Sequence, residues 1–141
     1  GQLDPIQAPR RDLGLDPDHV EDIIHAMTQV VESPRGTARR IRSPAYRIAG
    51  KTGTAQVFTV GQKETYKEKQ VAARKRDHAL FVAFAPVDDP RIAVAVLVEN
   101  GGHGGSVAAP IARAGMDSYL LGKDPPADLG AESEEEAEDG D

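Results

Sequence analysis

The chain has 141 residues, of which 39% are hydrophobic, and it contains no cysteine. That length suits one ordinary domain with a modest core. The absence of cysteine excludes disulfides and thiolate metal sites. The longest run of branched apolar residues, Ile92–Val98, is far shorter than the roughly 20 residues that a membrane-spanning helix needs. Composition therefore predicts a small domain without a membrane span in this chain.

The formal net charge of −6 hides an uneven distribution of charge. All 17 Lys and Arg lie at or before Lys123, whereas nine of the 23 acidic residues lie from Asp124 onward. Residues 124–141 therefore form an acidic tail, whose last part has no aromatic or branched aliphatic side chain and is predicted to be disordered. A solvated tail and a partner-binding arm are the two interpretations. The basic residues are scattered or fall in the segment 63–76, without a pattern of interleaved aromatic residues, which argues against nucleic-acid binding.

The first third of the chain predicts a connector followed by a helix. Residues 1–15 contain proline and glycine and show no periodic pattern, so they are interpreted as the connector. Asp16 suits the N-cap position and Pro17 the first helical position, and the segment 33–36 should end the helix. Apolar residues at helical spacing predict one buried face, namely Val20, Ile23, Ile24, Met27, Val30 and Val31. Residues 37–43 are basic and polar and receive no assignment.

Three strands are predicted in the middle of the chain. A long strand should cover residues 46–59, where β-branched and aromatic residues become frequent. A charge-dense insertion follows at 61–76, with a short helix at 67–76. Residues 79–85 and 92–98 both alternate in the strand pattern, and the turn-forming segment 86–90 between them predicts an antiparallel hairpin. The alanine-rich faces of these two strands would let a helix approach closely.

A second helix should follow the glycine-rich loop 101–105. Ser106 is the expected N-cap, Pro110 is acceptable in the first turn, and Gly122 should end the helix. The order of elements predicts an α+β fold, in which helices pack on an antiparallel sheet of three strands. The predicted buried face of this helix is rich in small residues and consists of Ile111, Ala114, Gly115, Ser118 and Tyr119.

The most informative motif is the tetrapeptide Lys51-Thr52-Gly53-Thr54. It places a cation, two hydroxyls and a bare backbone on one strand, which suits a carboxylate-bearing substrate in acyl transfer to a serine. Alternation puts Thr52 and Thr54 on the same face and Lys51 on the other. A glycine within a strand marks a place where a ligand or another backbone comes close. Simple decoration of an exposed strand is the alternative.

Other sites fit the sequence less well. A phosphate-binding loop ending at Lys51-Thr52 would need its first glycine at Ala45 and a helix after it, where a strand is predicted. The four histidines, His19, His25, His78 and His103, lack the spacing of metal ligands, so no metal or other cofactor is expected. His78 next to Asp77 is read either as a pH-sensitive pair or as a contact at the entry to a strand.

Four blocks of sequence, at residues 46–58, 64–66, 76–86 and 98–102, occur in an order and spacing that resemble a known family. They resemble the C-terminal part of penicillin-binding protein 2, the elongation-specific class B peptidoglycan D,D-transpeptidase of Gram-negative bacteria. The resemblance implies the penicillin-binding and serine β-lactamase-like transpeptidase fold, with residues 16–123 as the C-terminal portion of the transpeptidase domain. In that fold the tetrapeptide strand belongs to a five-stranded sheet, two of whose strands come from upstream.

The resemblance also implies roles for the tetrapeptide. Lys51 would supply positive charge and assist proton movement. Thr52 and Thr54 would bind the carboxylate of a D-Ala-D-Ala stem peptide or of a β-lactam, and Gly53 would leave room for it. The backbone N–H of Thr54 would be one of two oxyanion donors. Lys51 and Thr54 are therefore the expected catalytic residues, and residues 51–54 the expected substrate-binding and β-lactam-binding strand.

In the family three motifs surround the active cleft: a Ser-x-x-Lys that carries the nucleophilic serine, a Ser-x-Asn, and the Lys-Ser/Thr-Gly of the tetrapeptide strand. This chain has only the third. No serine is followed three residues later by a lysine, and the only asparagine, Asn100, is not part of a Ser-x-Asn motif. We therefore expect the last third or less of a larger serine acyl-enzyme, inactive alone and bound to its missing N-terminal part. Exposed sheet edges and apolar faces should otherwise make the chain dimerise or exchange elements.

The family implies a setting for the whole protein. It would be membrane-anchored at the periplasmic face of the bacterial inner membrane and would work with a glycan-polymerising membrane protein of the elongation machinery. The alternative is a non-catalytic binding or scaffold domain that keeps the same sheet and never had a serine nucleophile.

Overall fold

The structure is a computed structural model of the chain, and it describes residues 12–56 and 77–127. In these ranges the three strands form one antiparallel sheet in the order β1-β2-β3. This confirms the predicted α+β fold. The predicted helix at 67–76 and residues 128–141 of the acidic tail lie outside the described residues. The elements are α1 (Pro17–Glu32), a 3-10 turn (Arg39–Ile41), β1 (Ala49–Ala55), β2 (His78–Ala85), β3 (Ile92–Val98), a π-helical turn (Gly104–Ala108) and α2 (Ala109–Leu121).

Helix α1 begins and ends where the sequence predicts. The Asp16 side chain accepts a hydrogen bond from the N–H of Asp18 at 2.9 Å, with Pro17 at the first helical position. Ser33 ends the helix. The chain then turns back so closely that a Cβ atom on Gly36 would lie 2.3 Å from the Val30 carbonyl oxygen. Only glycine fits at this position. The turn brings the segment that starts at Thr37 next to β1.

The predicted apolar face of α1 is buried only near its C-terminal end. Val31 is fully buried and Thr28 is 5% exposed, with its hydroxyl donating to the Ile24 carbonyl at 2.8 Å. Val20 and Ile23 are exposed, the latter by 61%, so this part of the prediction is wrong for the described residues. The reason is that the small sheet covers only the last turns of the helix.

Strand β1 is shorter at its start than predicted. It begins at Ala49, whereas the sequence predicts strand from residue 46, and residues 57–59 lie outside the described part of the chain. Tyr46 and Ile48 are nevertheless buried in the core. The Tyr46 hydroxyl bonds to α2, as described below. The segment before β1 is therefore held by the Tyr46 side chain and by a backbone hydrogen bond from the Val87 N–H to the Arg47 carbonyl at 3.1 Å.

The two faces of the sheet differ sharply. On β2, Ala79, Phe81, Ala83 and Ala85 are buried under the helices, and a Cβ atom on Gly50 would lie 2.6 Å from the Phe81 ring. The opposite face is apolar and open among the described residues, with Val82 47% and Leu97 59% exposed. The alanine face of β2 does admit a helix, as expected, whereas the alanines of β3 lie on the open face.

Helix α2 ends as predicted but begins differently. Gly122 has a φ of 64° and caps the helix, its N–H bonding to the Ser118 carbonyl. Ser106 is not an N-cap, because Gly104–Ala108 form a π-helical turn in which the N–H of Ala109 bonds to the Gly104 carbonyl. The Ser106 hydroxyl instead donates to the His103 carbonyl at 3.2 Å.

The buried face of α2 also differs from the prediction. Of the predicted residues only Ala114 is buried, and Tyr119 is 62% exposed. The small side chains of Ala109 and Ala112 join the core that the β2 alanines line, which lets the helix lie close to the sheet. No helix in the described ranges is both long enough and apolar enough to cross a lipid bilayer. The observed buried residues of α2 are Ala109, Ala112, Ala114 and Met116.

Candidate active-site strand

The tetrapeptide lies on β1, which pairs with β2 and stands at one edge of the described sheet. Thr52 is paired with Phe81, and Thr54 lies two residues further on the same face. Lys51 is paired with Val82 and belongs to the open face. The alternation predicted for the two threonines and the lysine is therefore present in the structure.

The Lys51 ammonium is accessible to solvent. Its Nζ donates a hydrogen bond to the Thr52 carbonyl oxygen at 2.6 Å, and the side chain is exposed. An ammonium carries three donors, so this bond leaves two for other acceptors. Lys51 can therefore offer charge and hydrogen bonds to an anion that approaches β1.

The two threonine hydroxyls differ in their surroundings. Thr54 is exposed, whereas Thr52 is half-buried beside the turn that follows α1. The Oγ1 atoms of Thr52 and Thr37 are 3.4 Å apart, and either hydroxyl can act as the donor. Thr37 thus limits the orientations of the Thr52 hydroxyl, and it was missed by the sequence interpretation.

The space beside Gly53 is filled by the backbone of the π-helical turn. A Cβ atom on Gly104 would lie 2.8 Å from the Gly53 carbonyl oxygen and 2.1 Å from that of Leu80. The next residue, Gly105, lies against the Thr52 side chain, since a Cβ atom there would be 3.5 Å from Thr52 Cγ2. The close approach expected at a strand glycine is therefore made by another backbone, and the role of Gly53 toward substrate stays a prediction.

A polar groove of about 680 Å³ opens next to this contact. Within it Arg40 donates to the Ser106 carbonyl at 3.3 Å, and Arg42 pairs with Glu32 at 2.8 Å. The sequence interpretation left this segment unassigned, although three arginines in four positions are a signal that could have found it. The groove is lined by Gly36, Thr37, Arg39, Arg40, Arg42, Gly105 and Ser106.

A partly buried polar cluster holds the groove and the segment before β1 to helix α2. The guanidinium of Arg113 donates to the carbonyls of Ile41 and Arg42 at 2.7 and 2.8 Å. Its Nε lies 2.9 Å from Asp117 Oδ2, and Asp117 Oδ1 accepts a hydrogen bond from Tyr46 at 2.5 Å. One helix therefore anchors both the lead-in to the tetrapeptide and the arginine segment.

The cluster shifts the pKa of two of its members. Burial, together with the hydrogen bond to Asp117, raises the pKa of the Tyr46 hydroxyl above its ordinary value. Burial alone would raise the pKa of Asp117, but the hydrogen bonds from Arg113 and Tyr46 outweigh it and lower that pKa. At neutral pH the cluster therefore contains an ionised carboxylate and a neutral phenol.

Of the histidines considered as site residues, His78 makes a defined hydrogen bond in the structure. His78 Nδ1 accepts a hydrogen bond from the N–H of Asn100 at 2.9 Å, which is a contact at the entry to β2. In the part of the chain that the structure describes, no group of three or more side chains could hold a metal ion. His19, His25 and His103 share no metal site there.

Comparison with known proteins identifies relatives for most of the chain. Residues 7–117 match the family described as penicillin binding protein transpeptidase domain. Peptidoglycan D,D-transpeptidase MrdA of Acinetobacter baumannii is 52% identical over 108 residues, which is 77% of this chain and 16% of that protein. The chain thus spans a small part of the length of the relative.

Solved structures give the same answer for the fold. Pseudomonas aeruginosa PBP2, in complex with WCK 5153, is 42% identical with a TM-score of 0.66, covering 94% of this chain and 27% of that one. Helicobacter pylori PBP2, in complex with MreC, is 28% identical with a TM-score of 0.60. That match covers 77% of this chain and 19% of the H. pylori chain. The chain belongs to the penicillin-binding protein transpeptidase domain family, and its close relatives are PBP2 proteins.

Proposed function

We propose that this chain supplies the substrate-binding strand of a peptidoglycan D,D-transpeptidase that cross-links stem peptides during cell-wall elongation. The observation that carries the proposal is the placement of the tetrapeptide on an edge strand, with Thr52 and Thr54 on one face and Lys51 exposed on the other. An edge strand offers backbone donors and acceptors that an extended peptide can pair with. Together with two hydroxyls and an exposed ammonium, this edge suits a peptide substrate with a free C-terminal carboxylate.

The hydroxyls, the ammonium and the backbone of the tetrapeptide each have a separate role. The hydroxyls of Thr52 and Thr54 bind the C-terminal carboxylate of the D-Ala-D-Ala substrate, or the carboxylate of a β-lactam. The Lys51 ammonium attracts that anion and assists proton movement at the serine. The backbone N–H of Thr54 donates to the developing oxyanion, and the loss of one such donor costs about 3 kcal/mol of transition-state stabilisation.

The serine nucleophile comes from another part of the whole protein. Since this chain has neither a Ser-x-x-Lys nor a Ser-x-Asn motif, it forms one wall of the active cleft and is inactive alone. The acyl-enzyme then forms on a serine opposite β1. The exposed face with Val82 and Leu97 is a surface on which the upstream part of the protein packs.

The relatives support a proposed setting for the whole protein. The PBP2 of H. pylori is seen in complex with MreC, which supports a place for the whole protein in a multi-protein cell-wall assembly. We place the whole protein at the periplasmic face of the inner membrane, with a glycan-polymerising membrane protein among its partners.

Labelling with a fluorescent penicillin tests the proposed function. The full-length protein should be labelled covalently, and Lys51→Ala should abolish the labelling or slow it severely. Lys123→Ala, which removes an exposed lysine beyond the end of α2, should leave it unchanged. A full-length protein that takes no label would support the scaffold interpretation, and labelling of the 141-residue chain alone would refute the claim that its nucleophile lies elsewhere.

A further inference from the structure

The polar groove beside β1 has the chemistry of an anion site. We propose that it binds a second carboxylate of the peptide substrate, distinct from the C-terminal carboxylate held by β1. The inference rests on the function proposed above, because it assumes that a peptide carboxylate lies at Thr52. It adds a specificity site for substrates that carry an extra negative charge.

Charge is the first argument for this site. Three guanidinium groups, those of Arg39, Arg40 and Arg42, line the groove, and no carboxylate does among the described residues. The nearby Glu32 carboxylate pairs with Arg42 at 2.8 Å. Arg39 is exposed at the groove, so its planar fork of donors can meet a carboxylate in two-point fashion.

The backbone of the groove is already held in place. Ala38 is fully buried and its N–H bonds to the Val30 carbonyl at 3.0 Å, while the N–H of Arg42 bonds to the Arg39 carbonyl at 3.0 Å. From the other side, Arg113 donates to the carbonyls at 41 and 42. Binding therefore has to order arginine side chains but not the main chain, which keeps its entropic cost low.

The opposite wall of the groove belongs to the π-helical turn. Gly105 and Ser106 line it, and Arg40 bridges the two walls through its hydrogen bond to the Ser106 carbonyl. The Thr37 hydroxyl adds a further hydrogen-bonding group. At about 680 Å³ the groove falls within the roughly 300–1,000 Å³ typical of ligand sites.

The groove adjoins the carboxylate-binding strand. Thr37 lines the groove, and its Oγ1 is 3.4 Å from the Oγ1 of Thr52. Gly105 lines it as well and lies against the Thr52 methyl group. An extended peptide advances about 3.3–3.6 Å per residue. The proposed site therefore requires that a peptide whose C-terminal carboxylate lies at Thr52 runs toward Thr37, so that a carboxylate on one of its preceding residues reaches the arginines.

A matched pair of β-lactams tests this inference on the full-length protein. One compound carries a second carboxylate on its acyl side chain, and the other carries the methyl ester of that group. We expect the acylation rate constant to be about five- to tenfold larger for the dicarboxylate, an advantage that added salt reduces because the site is open to solvent. Arg39→Gln should remove at least half of the advantage and leave acylation by the ester unchanged.

Two further variants serve as controls. Arg39→Lys keeps the charge and should retain part of the advantage. Arg91→Gln makes the same charge change at an exposed position in the turn before β3 and should retain all of it. Equal rates for the two compounds in the wild type, or an unchanged ratio in Arg39→Gln, would overturn the inference while acylation by the ester keeps the proposed function intact. If neither compound acylates the protein, both proposals fail.

Discussion

The hydroxyl of Tyr46 donates a hydrogen bond to Oδ1 of Asp117 at 2.5 Å, and this bond joins the lead-in of β1 to helix α2. The two residues are 71 positions apart in the sequence. Arg113 completes the contact through its ion pair with Asp117 and lies over the Tyr46 ring at 5.7 Å. The segment just before the tetrapeptide strand is therefore tied to two residues of α2, Arg113 and Asp117, that are remote from it in sequence.

Loss of the phenol should destabilise the protein. Tyr46→Phe removes one hydrogen bond to a partly buried carboxylate, and we expect the free energy of unfolding to fall by about 1–2 kcal/mol. Urea denaturation of the full-length protein measures this. Tyr119→Phe serves as the control, because that residue is 62% exposed and should change little. Equal stability of the two variants would show that the bond contributes nothing.

The Asp117 carboxyl should make stability depend on pH in a defined direction. Because its folded pKa is lowered, its contribution is complete above the unfolded pKa of about 3.9 and is lost as pH falls through the folded pKa. The difference in unfolding free energy between wild type and Asp117→Asn should therefore be largest near neutral pH and shrink in acid. A difference that is constant with pH would contradict the assigned shift.

Two glycines in the same region should respond in opposite ways to alanine. Gly104→Ala places a Cβ atom 2.1 Å from the Leu80 carbonyl oxygen, which belongs to rigid backbone, so a loss of about 1–3 kcal/mol of stability is expected. Gly115→Ala lies in the middle of α2 with nothing within 4 Å and should gain about 0.5–1 kcal/mol. Thermal melts of both variants in the full-length protein check this pair, and a neutral Gly104→Ala would contradict the close contact.

The open apolar face of the sheet should make the isolated chain associate. Val82 and Leu97 are large, apolar and about half exposed, on a face that nothing covers in the described ranges. Sedimentation velocity of the 141-residue chain should show species larger than the monomer, and Val82→Lys combined with Leu97→Lys should reduce them. Asp89→Lys, in the exposed turn between β2 and β3, is the control and should not. A wild-type chain that is strictly monomeric would count against this expectation.

The sequence predicted the local elements well because their determinants are local. The Asp16 cap, the Gly122 terminator and the alternation of β2 and β3 act over a few residues each, and all three are present in the structure. The tetrapeptide could be found in the same way, since its four groups are adjacent on one strand. Its family could also be recognised from the spacing of the neighbouring blocks.

The other features of the fold and of the site depend on contacts between residues distant in sequence, which hydrophobic periodicity does not encode. The exposed half of α1 looks like a core face in sequence, and only the extent of the sheet shows that Ile23 has no described partner. The π-helical turn packs Gly104 closely against the β1–β2 ladder, and Ser106 within this turn lines a groove and is not a cap. Thr37 and the arginines join the site through the backbone turn at Gly36, and sequence spacing alone gives no distance between them and Thr52.

A crystal structure of the full-length protein acylated by a β-lactam tests the role of the tetrapeptide most directly. We expect the carboxylate of the bound drug to accept hydrogen bonds, at about 2.5–3.0 Å, from the hydroxyls of Thr52 and Thr54. We also expect the acyl carbonyl oxygen to lie within hydrogen-bonding distance of the Thr54 backbone N–H. A drug carboxylate bound elsewhere, with no contact to residues 51–54, would contradict the substrate-binding role of this strand.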